Sequence, residues 1–173
     1  KGLPVDRIPN LSILMTFAAK YIGKRYDQYV RDFRILVEGN IRCCKDFEID
    51  MLSVISDPMR ETHAFGAEVV FPVDGVPYAQ APFINSFKDL ENLSTKDPLN
   101  EVRLFDRVQA VYLYKKECAD EYPILGWVEG AFAEACDLHG ITETMKDLYE
   151  APEFLMDLIE ICTSQAIIFA ESQ

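Results

Sequence analysis

The segment Ile49-Asp50-Met51-Leu52-Ser53-Val54-Ile55-Ser56-Asp57-Pro58 constrains this chain more than any other. A short apolar run with β-branched residues, preceded by a helical pattern and closed by proline, reads as a strand buried on both faces of a parallel sheet. Pro58 has no amide hydrogen to give a ladder, so pairing stops there and Asp57 is left at the strand's C-terminal end. That is the end at which α/β sheets and barrels build their chemistry. Asp57 is therefore the first candidate catalytic residue. A simple turn-capping role for the same carboxylate stands beside it, since aspartate favours turns.

The segments around it repeat the pattern. Ile8 to Met15 is a first strand candidate (about 10–15), and Thr16 to Ile22 a helical turn ended by Gly23. From Tyr26, the residues Tyr29, Val30, Phe33, Leu36, Val37, Ile41 and Cys44 recur at three- and four-residue spacing, predicting one amphipathic helix to about Asp46. The second strand covers 51–56. Gly66–Pro72 and Val76–Gln80 flank Asp74-Gly75, the signature of a β-hairpin near 67–80. Asn85–Leu93 reads as a short helix. A long helix over about 100–119 is expected to turn Val102, Phe105, Val108 and Tyr112 inward. A third strand spans about 123–128 and ends at Glu129. Helices follow at 131–138, 142–149 and 152–170, the last with Pro152 in its first turn and Phe154, Leu155, Leu158, Ile161, Cys162 and Ile168 on a core face.

Strands that alternate with helices demand parallel pairing through crossovers. The predicted class is α/β, the N-terminal part of a (β/α)8 barrel with a β-hairpin insert and about three barrel strands. Three strands cannot close a barrel, and such domains run to about 250 residues. Residues 1–173 are thus expected to be the N-terminal portion of a single barrel domain lacking its C-terminal half. The open parallel edge is expected to be covered by self-association or a complementing chain.

Composition narrows the function classes. A net charge of −12 gives no basic face for a phosphate backbone, so nucleic acid is not the expected partner. No apolar run approaches the roughly 20 residues of a membrane span, and the opening residues lack the apolar stretch of a secretory signal. The five cysteines include no CxxC pair, and adjacent Cys43 and Cys44 point apart on a helix. They read as reduced core residues in a cytoplasmic compartment.

Two further residues fall near the expected barrel mouth. Glu129 ends the third strand, and Gly126 and Gly130 beside it suggest close approach of backbone or ligand; its bland alternative is a solvated rim carboxylate. His63 follows Asp57 on what reads as a mouth loop. Trp127 alternates to the opposite face and should pack under a helix. His139 precedes Gly140, where it suits a helix C-terminus.

Taken in order, Val5-Asp6-Arg7-Ile8-Pro9, Ser53-Val54-Ile55-Ser56-Asp57, Pro123-Ile124-Leu125-Gly126-Trp127 and Leu148-Tyr149-Glu150-Ala151-Pro152-Glu153 resemble the uroporphyrinogen decarboxylase superfamily across the whole chain. That resemblance implies a (β/α)8 barrel and one of two activities. One is decarboxylation of the acetate groups of uroporphyrinogen; the other is methyl transfer from a methylated corrinoid protein to a small thiol acceptor. In the decarboxylases an aspartate matching Asp57 binds pyrrole N–H groups, and two arginines after the first strand grip substrate carboxylates. The matching stretch here is Met15-Thr16-Phe17-Ala18-Ala19-Lys20, so Thr16 and Lys20 replace the arginines and Met15 and Lys20 become the expected substrate contacts. Lysine cannot reproduce the planar guanidinium fork, and threonine carries no charge. A family tyrosine is matched by Asp137.

The resemblance therefore implies the methyltransferase-like branch, with zinc and a corrinoid (methylcobalamin) as cofactors. The zinc ligands, a His-x-Cys pair and a distant Cys, are expected in the absent half, so no metal ligand is assigned within 1–173. Asp57 is expected to be catalytic, with Met15, Lys20, His63, Glu129 and Asp137 binding substrate. Uroporphyrinogen decarboxylation and non-catalytic capture of a corrinoid or tetrapyrrole are the alternatives.

Overall fold

A computed structural model describes residues 6–118 and 121–173. In chain order it contains α1 (Met15–Tyr21), α2 (Tyr26–Tyr29), α3 (Phe33–Phe47), β1 (Leu52–Ser53), α4 (Met59–Phe65), β2 (Val69–Val70), β3 (Tyr78–Ala79), α5 (Phe87–Glu91), α6 (Val102–Cys118), β4 (Ile124–Leu125), α7 (Ala131–His139), α8 (Ile141–Glu150) and α9 (Pro152–Ser172). β1 and β4 pair in parallel, with Leu52 opposite Ile124 and Ser53 opposite Leu125. β2 and β3 form the antiparallel hairpin, with Val69 opposite Ala79 and Val70 opposite Tyr78.

The expected strand at 10–15 is not formed. The Asn10 amide donates to the Asp50 carboxylate at 2.7 Å and Asp50's amide to the Asn10 carbonyl at 2.9 Å. Its polar groups are thus taken up at one point ahead of β1, and the chain turns into α1 at Met15, whose φ is 40°. Ile8, Leu11 and Ile13 are exposed, so no sheet face rewards an extended ladder. Among the described residues two of the three expected barrel strands are present.

The single helix expected from Tyr26 is broken after Tyr29, and α6 explains the break. Arg103 donates to the Val30 carbonyl at 2.9 Å, and Asp106 accepts the Phe33 amide at 3.0 Å. The orphan backbone groups at the interruption are thereby satisfied. Asp32 restarts the helix as an extended N-cap accepting from the Arg34 amide at 2.9 Å. At α2's other end, the hairpin loop supplies the Val73 carbonyl, which accepts the Tyr26 and Asp27 amides at 3.0 and 3.2 Å.

The core falls into clusters. One gathers α1, α2, α3 and α6 around Leu52 and Val54; another packs α7 and α9 against Phe65, Ile84 and Leu90. Helix α6 is rotated from the expected orientation: Val102 is 80% exposed and Tyr112 70%, while Arg103, Leu104, Arg107, Ala110 and Tyr114 face inward. In α9, Phe154, Leu155, Leu158 and Cys162 are buried as expected, but Phe169 takes the interior place in preference to its neighbour Ile168. Trp127 packs against the first cluster, as its alternation predicted. Gly126 does meet a close neighbour: the Gln173 side chain lies 3.2 Å from where a Cβ would stand, whereas nothing lies within 4 Å of that point at Gly130. The Gln173 amide also accepts from the Trp127 N–H at 2.9 Å and donates to its carbonyl at 3.1 Å, tying α9 to the end of β4.

Candidate functional site

Register decides where the two strand-end carboxylates emerge. Ser53 pairs with Leu125, and Asp57 and Glu129 each follow their paired residue by the same interval, so both leave the same end of the parallel pair. Helices α4 and α7 begin just after them.

Asp57 is buried and fully engaged. Arg103 donates from Nη1 to Oδ1 at 3.0 Å and from Nη2 to Oδ2 at 2.6 Å, a bidentate pair. The Ser56 hydroxyl donates to Oδ2 at 2.6 Å and the Met59 amide to Oδ1 at 3.1 Å, which also caps α4. Burial works against the charge, but attraction from Arg103 and Arg60 and these hydrogen bonds hold its pKa below the usual carboxylate range. Just behind it, the Tyr26 hydroxyl donates to the Ser56 carbonyl, and Thr16 lies beside that hydroxyl.

Sequence reasoning missed the residues that surround Asp57. Arg60 has no exposed surface; it forms ion pairs with Glu61 at 3.4 Å and Glu129 at 3.9 Å, yet none of its guanidinium nitrogens has a hydrogen-bond partner. Glu61 accepts the Glu129 amide at 2.9 Å. Glu134 accepts from the Thr62 hydroxyl at 2.8 Å through one oxygen while its other has no partner. Arg107 is also enclosed, with its ion pair to neighbouring Asp106. Buried cations are uncommon, so apolar periodicity turned α6 the wrong way. The available signal was the stripe Arg103–Arg107–Ala110–Tyr114 at helical spacing.

The cluster holds more carboxylates than cations, and proton affinity rises accordingly. Burial and then the charges of Glu129, Glu61 and Asp57 push the Asp137 carboxyl up to about 7. Burial and Glu61 push Glu134 well above the ordinary range. Glu129 is raised by burial, against the pull of Arg60. His63, on α4, is lowered by burial and by Arg103, and its ring meets Phe71 edge-on at 6.0 Å. The same Phe71 ring lies under the Arg103 guanidinium at 5.1 Å and that of Arg31 at 5.2 Å.

Of the expected site residues, Asp57, His63, Glu129 and Asp137 are thus brought into one charged neighbourhood. Met15 is half-buried against the first core at the start of α1, next to Thr16. Lys20 is exposed in the last turn of α1 and does not join the cluster. His139 is buried at the end of α7, its Nδ1 2.6 Å from the Ile84 carbonyl and its Nε2 3.0 Å from Asp147, a structural role.

No three His, Cys, Asp or Glu side chains among the described residues are placed to hold a metal ion. Cys43, Cys44, Cys118 and Cys162 are buried thiols inside helices, all pushed up in pKa chiefly by burial. These residues do not fit a zinc site. No helix of the described chain is long and apolar enough to cross a membrane.

The family model for uroporphyrinogen decarboxylase (URO-D) matches residues 1–173, and the chain belongs to that family. Among solved structures it is similar to a methyltransferase from Methanosarcina mazei, at 20% identity with a TM-score of 0.87. The match covers 99% of this chain and 52% of that one, so the chain spans about half the length of its structural relative. At that identity the likeness establishes the fold: the mixed helix–strand order is that of the family's barrel. No curated protein matches the sequence.

Proposed function

We propose that the complete protein transfers a methyl group from a methylated corrinoid protein to a small thiol, and that this chain supplies the carboxylate–arginine wall of the barrel mouth. The observation that carries this reading is the engagement of Asp57. A carboxylate has roughly four acceptor positions, and here four donors, Arg103 twice, Ser56 and Met59, occupy them. An aspartate held this way has no free oxygen for pyrrole N–H groups. The carboxylate-gripping positions point the same way, since they carry Thr16 and the outward-facing Lys20. The methyltransferase similarity adds support at the level of the fold.

In this reading Asp57 is a positioning residue that fixes Arg103 and the start of α4. A sulfur–carbon bond forms as the donor's cobalt–carbon bond breaks, its electron pair staying with the donor, while the thiol's proton departs. Asp137, with a pKa of about 7, is suited to receive that proton near neutral pH. Glu129 is a charged neighbour of Asp137, and His63, near Arg103 and Asp57, is assigned to the acceptor's end of the mouth. A zinc ion, which would lower a thiol's pKa when bound, would need ligands from outside these residues. A cytoplasmic, reducing setting accords with five free cysteines.

The test uses the full-length gene product with methylcobalamin and a panel of small thiols. Thioether formation, with about one zinc per chain, is the expected result. Decarboxylation of uroporphyrinogen without thiol methylation overturns it in favour of the decarboxylase. Tight binding of the corrinoid with no turnover overturns it in favour of a capture protein.

A further inference from the structure

Helices α4 and α7 pack together and each brings a buried carboxylate to the contact, Glu61 from α4 and Glu134 from α7. Glu61 uses one oxygen to accept the Glu129 amide at 2.9 Å, and Glu134 uses one to accept the Thr62 hydroxyl at 2.8 Å. The other oxygen of each, Oε2 in both, is enclosed and has no hydrogen-bond partner among the described residues. The Arg60 Nε stands 3.4 Å from that oxygen of Glu61 without bonding to it. Ionised carboxylates are acceptors alone, so two enclosed ones cannot satisfy each other. A protonated carboxyl can donate to its neighbour, and two orphan oxygens then become one charge-assisted hydrogen bond.

The surroundings decide which partner keeps the proton. Glu61 has a backbone amide and the Arg60 cation beside it, which favour its charged form, whereas Glu134 has one neutral hydroxyl. After burial, the charge of Glu61 acts on Glu134 most strongly, with Asp137 of its own helix and Glu129 at the end of β4 adding to it. From α9 comes the Cys162 thiol, itself pushed up by burial and then by Glu134. Helix α8 brings Asp147, which His139 takes up at the far end of α7, and β3 brings the exposed Tyr78.

We propose that Glu61 and Glu134 share one proton, held on Glu134 and donated to Glu61, and that this proton clasps α4 to α7 beside the strand-end carboxylates. When it leaves, two like charges face each other out of water and α7 loosens from α4. Asp137 lies one helical turn beyond Glu134, so the clasp also sets how firmly that acid is held. The inference holds whichever reaction the mouth performs. Its sign is definite: the folded pair keeps a proton that the unfolded chain releases above the ordinary value of 4.5. The clasp therefore favours folding most in acid, and its contribution declines as pH rises until the proton departs.

Infrared spectroscopy of the full chain at about pH 8, above the range in which Asp137 titrates, reads the proton directly. The expected result is a protonated-carboxyl C=O band that Glu134→Gln removes. The amide in that variant can donate to Glu61 and accept from Thr62 as the acid does, so it should melt like the wild type. Hydrogen exchange then reads the clasp. Protection of the α7 amides, corrected for intrinsic rates, should fall roughly tenfold in the wild type as pH is raised further, and stay level in Glu134→Gln. The proposal is overturned if the band is missing, if it survives Glu134→Gln, if that variant fails to fold, or if its α7 protection follows the wild-type pH dependence.

Discussion

Arg103 and Asp57 lie on elements far apart in sequence, yet the guanidinium of one closes on both oxygens of the other, at 3.0 and 2.6 Å. Both side chains are almost wholly removed from water. The same guanidinium reaches the Val30 carbonyl and stacks over Phe71. One ion pair therefore joins the strand end, the α2–α3 break, helix α6 and the hairpin. Removing either partner leaves a buried charge without its counterion, which costs about 3–5 kcal/mol.

Asp57→Ala and Arg103→Ala should each lower the denaturation midpoint by an amount matching about 3–5 kcal/mol. The double variant should be destabilised by clearly less than the sum, because it removes both charges together. Additive losses in urea titrations of all three proteins would show that the two groups do not act as a pair.

The pH dependence follows from Asp137. Its folded pKa of about 7 lies above the ordinary value of 3.8, so between these values the folded state binds the proton that the unfolded state has released. Its contribution favours folding in acid and is lost as pH rises toward about 7, falling by at most about 1.4 kcal/mol for each pH unit crossed. Asp57 has the opposite sign: its depressed pKa adds stability above its unfolded value that disappears in acid. Asp137→Asn should flatten the decline in melting temperature between about pH 5 and about 7, and an unchanged slope would assign the decline to another group.

Asn40 joins α3, β1 and α6 from inside the core. Its amide donates to the Ser53 carbonyl at 2.9 Å and the Tyr114 hydroxyl at 2.8 Å, while its oxygen accepts from the Tyr29 hydroxyl at 2.9 Å. Asn40→Ala strands several buried polar groups at about 1–3 kcal/mol. The expected result is a loss of at least about 2 kcal/mol with secondary structure retained at low temperature, read by thermal melting.

Lys20 and His63 offer a contrast within the set of substrate-facing candidates. Lys20→Ala should change stability by no more than about 0.5 kcal/mol, as surface substitutions usually do, and leave the methyl transfer proposed for the complete protein unaltered. On the proposed reading, His63→Ala, beside Arg103 and Phe71, should change KM for the proposed thiol acceptor several-fold while leaving the fold intact. A large effect at Lys20 with none at His63 would reverse this assignment of the mouth.

Much of this architecture was legible from residue order alone. The Ile49–Pro58 run produced the short strand Leu52–Ser53, which leads on to Asp57, Gly23 closed α1, the apolar runs around Asp74-Gly75 became a hairpin, and Pro152 began α9. Local periodicity failed where distant polar groups decide the structure. The α2–α3 break depends on Arg103 and Asp106, which no window around Tyr29 contains. The inward face of α6 is set by two buried arginines that apolar counting assigns to solvent. Ile8, Leu11 and Ile13 have strand composition, but a parallel strand needs a neighbour along its whole length, and Asp50 offers a single point of pairing. At the mouth, the strand-end carboxylates could be read directly, whereas Arg60, Glu61 and Glu134 depend on how α4 and α7 pack against each other.

The Val73 carbonyl that caps α2 also sets an order in time. Four residues are too few to hold a helical turn in water unaided, and the acceptor for the first two α2 amides arrives only with the hairpin loop. During synthesis at roughly 5–20 residues per second, the Tyr26–Tyr29 segment must wait seconds for that loop to emerge. Arg103, which secures the far side of the break, comes later still. The N-terminal part of this chain therefore leaves the ribosome with its second helix unmade, and it is completed from downstream.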